Sequence, residues 1–131
     1  MNTTSNNGLS FQLNNRLKII QEIQSIIVNK FGSDDFNIFL FGSFLTERYI
    51  EGKSDIDLAI YTTNFDKYLK IRMYLEDYFN NKNIPQDIFY IDTSVIAPIY
   101  CEPLSSPLKF TTYYPTDLKN FYNKCKSVCE D

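Results

Sequence analysis

Residues 36–60 read FNIFLFGSFLTERYIEGKSDIDLAI, and the reading of this stretch decides the fold. Ile38-Phe39-Leu40-Phe41 is a short apolar run that stops at Gly42-Ser43, and a polar segment leads on to Ser54-Asp55-Ile56-Asp57-Leu58-Ala59-Ile60. Side chains alternate between faces along a strand. Asp55 and Asp57 therefore share one face, while Ile56, Leu58 and Ile60 point into a core. Two carboxylates on one face repel each other unless a cation sits between them. Hard divalent ions such as Mg²⁺ take oxygen ligands of this kind together with phosphate oxygens. Glycine lets the main chain approach a ligand closely, and N–H groups at a turn or helix start bind phosphate. The stretch reads as two strands whose ends carry a nucleotide-triphosphate and metal site.

On the N-terminal side, Leu13, Leu17, Ile20, Ile23, Ile27 and Phe31 recur at helical spacing, which predicts an amphipathic helix over 11–31 ended by Gly32. Residues 1–9 read as a polar tail. Ser43 to about Tyr49 is expected as a short helix with its N-terminus toward the phosphates, and 50–54 as a loop. On the C-terminal side, Asn64 caps a helix over 65–79 with Tyr68, Ile71, Leu75 and Phe79 buried. Residues 86–91 alternate as a third strand, with Asp87, Phe89 and Ile91 on one face. A short helix interrupted by Pro98 is expected over 95–101, and a last helix over about 116–129. Pro103, Pro107 and Pro115 leave 104–114 without a clear assignment. This order of elements predicts one α/β domain over 1–131, a small mixed β-sheet with flanking helices.

The chain has 131 residues, 44% apolar and 16% aromatic, which fits a folded single domain. With 13 basic and 16 acidic residues the net charge is −3, so direct nucleic-acid binding is not expected. There is no His, which removes the commonest general base and leaves proton transfer to carboxylates. Cys101, Cys125 and Cys129 make an odd count without a disulfide framework, as expected of a reducing compartment. Residues 1–10 lack a signal-peptide pattern and no apolar run is long enough for a membrane span, so a cytoplasmic protein with no membrane contact is expected.

Phe41-Gly42-Ser43 followed by Ser54-Asp55-Ile56-Asp57-Leu58 resembles the nucleotidyltransferase superfamily of DNA polymerase β. The likeness is greatest to the minimal nucleotidyltransferases paired with HEPN-domain proteins. Eleven residues, Phe44 to Ser54, separate Ser43 from Asp55, and the likeness runs over roughly 13–110. The resemblance implies a polymerase β-like core, two Mg²⁺ ions held by Asp55, Asp57 and Asp87, and a triphosphate held at Gly42-Ser43. Asp87 would complete the metal site and accept a proton from the attacking hydroxyl, with Asp92 as its rival. Ser54 and Arg48 join the nucleotide-binding candidates, and Lys53 is a further phosphate candidate. Arg48 stands in the run Phe44-Leu45-Thr46-Glu47-Arg48, where many members carry an Arg-Ala-Arg-Gly-like run. The resemblance further implies transfer of AMP from ATP to a tyrosine of a HEPN toxin, with this chain as antitoxin. An oligomer, of this chain alone or with the partner, is compatible with that role. Two alternatives stand beside it: nucleotidyl transfer to a small molecule such as an aminoglycoside, and neutralisation of the partner by binding alone.

Overall fold

The computed structural model describes residues 3–129, and its sheet grows from the stretch 36–60. Strand β1 (Phe36–Phe41) pairs antiparallel with β2 (Ile56–Thr62), which pairs in parallel with β3 (Gln86–Tyr90). The sheet is mixed, in the order β1-β2-β3. A parallel pair needs a crossover, and α2 (Phe65–Asn81) supplies it. Asn64 caps α2 by accepting the Lys67 N–H at 3.2 Å, and Tyr68, Ile71, Leu75 and Phe79 form its buried stripe.

Alternation along the strands divides the interior into two cores. Ile38, Leu40, Ile56, Leu58, Ile60 and Ile88 pack with Ile20, Ile23 and Ile27 of α1 (Thr3–Phe31) and with the stripe of α2. Phe39, Ala59 and Ile91 pack on the other face with Tyr100, Leu104 of α3 (Cys101–Ser105), and Leu118, Phe121 and Cys125 of α4 (Thr116–Cys129). The aromatic tail belongs to this second core: Tyr113 stacks on Tyr61 at 6.1 Å, and Tyr114 meets the Phe39 ring edge-on.

Several expectations need correcting. The first helix begins at Thr3, so residues 3–10 of the anticipated tail belong to α1, while Met1 and Asn2 lie outside the described residues. Its buried stripe is Arg16, Ile20, Ile23 and Ile27, with Leu17 turned to solvent at 40% exposure. Pro98 opens a 3-10 turn (Pro98–Tyr100) instead of breaking a helix, since proline has no N–H to lose at a helix start. Cys101 and Cys129 form a disulfide that ties α3 to the end of α4, leaving Cys125 as the free, buried thiol.

Segment 104–114, which lies between Pro103 and Pro115, covers the outer edge of β1. Leu40 N–H donates to Leu108 O at 3.1 Å, and Phe110 N–H donates to Ile38 O at 2.9 Å. The buried Asn37 side chain accepts the Thr111 N–H and donates to Thr111 O and Tyr113 O. Covering the edge satisfies backbone groups that a bare edge strand leaves open.

Candidate functional site

The strand register brings Phe41, Asp57 and Asp87 side by side at one end of the sheet, on the face that carries Phe39, Ala59 and Phe89. Asp57 and Asp87 are direct partners across β2 and β3. Asp55 stands one residue before β2, exposed, while Asp57 is half-buried. The Asp57 carboxyl is pushed up to about 6, first by burial and then by the charges of Asp87, Asp55 and Glu102. Like charges crowded at a partly dry position disfavour ionisation in this way.

Gly42 follows β1 with φ of +77°, a conformation in which only glycine is unstrained. Its missing side chain also makes room for Asp57: a β-carbon there would overlap a carboxylate oxygen and lie 3.0 Å from Cγ. The Gly42 N–H donates to Glu102 Oε2 at 3.1 Å. Nothing in the sequence marks Glu102, a lone glutamate 60 positions away, as part of this site.

The helix expected over 43–49 is absent; residues 42–48 form successive turns. Arg16 explains why. Its guanidinium donates to Phe44 O at 2.6 Å and to Thr46 O at 3.0 Å, carbonyls that a helix would direct to its own N–H groups. Arg16 is 3% exposed, pairs with Glu51 at 2.8 Å and lies over the Tyr49 ring at 4.8 Å. Thr46 closes the turn by donating its hydroxyl and its N–H to Ser43 O. A signal for Arg16 existed: it falls in register with Ile20, Ile23 and Ile27, a better helical stripe than one built on Leu17.

The remaining candidates are dispersed around this centre. Ser43 sits in the turn, half-buried. The Ser54 hydroxyl accepts the Ile50 N–H at 3.0 Å and closes the 50–54 loop. Arg48 and Lys53 are exposed and make no ion pair among the described residues. Asp92 lies beyond the opposite end of β3. It accepts the Ser94 hydroxyl and N–H, bonds that hold its carboxyl below the usual range. Asp92 therefore closes a turn, and Asp87 is the carboxylate beside Asp57.

Among the described residues, no three carboxylate, thiol or imidazole groups converge closely enough to enclose a metal ion as their side chains stand. The donor set nonetheless fits a hard divalent cation in kind: oxygen ligands only, with two carboxylates paired across the sheet and their repulsion written into Asp57. Beside the turn lies a cavity of about 360 Å³ lined by Gly42, Leu45, Thr46, Glu102, Ser105 and Leu108, among others.

A family model described as nucleotidyltransferase domain matches residues 13–119, a span that includes the turn, all three aspartates and Glu102. No curated protein and no solved structure gives a significant match.

Proposed function

The chain belongs to the nucleotidyltransferase domain family, and from that premise we propose that it transfers AMP from ATP to a hydroxyl of a partner protein. The observation that carries this reading is the meeting of Gly42 with the Asp57–Asp87 pair at one end of the sheet. Asp55, Asp57 and Asp87 would hold Mg²⁺, two ions by the family resemblance. The ions would supply charge stabilisation to the attacking and leaving oxygens of phosphoryl transfer. The turn N–H groups at Gly42 and Ser43 would hold the phosphates, and Arg16 keeps that turn in shape through its two carbonyl contacts. Without histidine in the chain, Asp87 is the proton acceptor for the incoming hydroxyl.

The acceptor we propose is a tyrosine of a HEPN-type toxin, with this chain as the antitoxin. Support comes from the family likeness and from the exposed apolar side chains Val95, Ile96 and Ile99 between β3 and α3, which suit a protein partner. The cavity beside Gly42 favours a second reading, transfer to a small hydroxylated molecule. Incubation with labelled ATP, Mg²⁺ and the proposed HEPN-type partner tests the first reading. Label on a partner tyrosine supports it; an unlabelled but neutralised partner identifies a binding antitoxin.

A further inference from the structure

The contact between Glu102 and Gly42 is out of keeping with its surroundings. Glu102 adds its charge to a site that already holds Asp55, Asp57 and Asp87, and it is one of the groups acting against ionisation of Asp57. It makes no ion pair among the described residues. Nor does burial require it, because Gly42 is exposed and water can satisfy the N–H. The carboxylate is nevertheless delivered to this spot by well-anchored backbone. Pro103 and Leu104 are buried, and Cys101 is bonded to Cys129. A main-chain N–H in a left-handed glycine turn that holds an anion against unfavourable charge is an anion-binding donor. Phosphate oxygens are acceptors of the same kind.

We infer that Glu102 competes with the phosphates of the nucleotide for the Gly42 N–H, so that nucleotide binding expels Glu102 and this residue sets the affinity of the site. The inference rests on the reading of Gly42 as a phosphate turn. In the free protein the carboxylate keeps the turn closed to stray anions. A polyphosphate with several acceptors displaces it, and a single phosphate does so poorly. Side-chain rotation of exposed Glu102 suffices, with α3 staying in place.

The test is calorimetric titration of the full chain with Mg·ATP, tripolyphosphate and inorganic phosphate, comparing wild type with Glu102→Ala and Glu102→Gln. Removing the competitor should tighten tripolyphosphate and Mg·ATP binding roughly threefold to tenfold in Glu102→Ala, the range for one exposed charged contact. Glu102→Gln, which keeps an acceptor and loses the charge, should fall between. In ¹H–¹⁵N spectra without ligand, the Gly42 amide should shift in Glu102→Ala, and tripolyphosphate should shift the same amide in wild type. Equal or weaker polyphosphate binding by a folded Glu102→Ala overturns the competition while leaving the phosphate turn standing. If neither wild type nor variants bind ATP or tripolyphosphate, the phosphate-turn reading falls and the inference with it.

Discussion

Gly42 and Asp57 share one volume: a side chain on the glycine would overlap the Asp57 carboxylate, so the turn and the acid can occupy their places only together. Gly42→Ala therefore does two things. It strains a backbone at φ of +77°, at about 1–3 kcal/mol, and it forces the Asp57 carboxylate out of its place beside the turn. The expected outcome is a lower melting temperature with loss of Mg·ATP binding by calorimetry. Wild-type affinity in a folded Gly42→Ala protein would refute the role of this turn.

Asp57 should cost the metal-free protein stability at neutral pH. Its folded-state carboxyl titrates near 6, above the unfolded value, so the folded state retains a proton that the unfolded chain has lost. Stability therefore falls as pH rises from about 4 to about 6 and stays reduced above that. Asp57→Asn removes the titration. In EDTA at pH 7 its melting temperature should equal or exceed that of wild type, with the advantage shrinking toward pH 4. Mg²⁺ should raise the wild-type melting temperature more than that of the variant, and nucleotidyl transfer by the variant should drop by orders of magnitude.

Asp87→Asn should separate binding from chemistry. Asp87→Asn leaves Asp55 and Asp57 in place, so Mg·ATP should still bind, while transfer to any acceptor should stop. Mass spectrometry of the proposed acceptor protein reads the outcome. Undiminished modification would remove Asp87 from the reaction.

Arg16 should matter to stability and to nucleotide affinity alike. Its planar fork serves Phe44 O, Thr46 O and Glu51 at once, and a lysine ammonium cannot reproduce that fork. Arg16→Met should cost about 2–4 kcal/mol, since two carbonyls lose their partner. Arg16→Lys should cost less in denaturant melts and still weaken Mg·ATP binding. An unchanged affinity in Arg16→Lys would show that the turn keeps its shape without the fork.

The Cys101–Cys129 link closes a loop of 28 residues, and chain-entropy arguments give such a link about 3–4 kcal/mol. Thiol titration of the denatured, unreduced protein should find one reactive thiol, from Cys125. Cys129→Ser should melt earlier than the oxidised wild type and match the reduced one. Three reactive thiols in freshly isolated protein would show the bond to be unformed there.

The strands and long helices were legible because their signals are local. The alternation in 56–60 and 86–91 and the 3.6-residue spacing in 65–79 each record one face meeting apolar surroundings. The same locality made Gly42, Asp55 and Asp57 readable as candidates, since their meaning lies in a turn, a strand parity and a short gap, whereas Asp87 became a candidate through the family resemblance. Ser43–Tyr49 reads as a helix in the sequence because local propensity offers no hint of a guanidinium arriving from 28 positions upstream to take its carbonyls. For the same reason Pro103, Pro107 and Pro115 could not say which strand edge segment 104–114 covers, and the cysteines could not say which pair would meet. The sequence by itself determined the mixed sheet, the glycine turn and the acids at the strand ends. Tertiary structure alone decided that Arg16 shapes the turn, that Glu102 occupies its N–H, and that Asp87 stands beside Asp57 while Asp92 does not, because strand register and chain return set those distances.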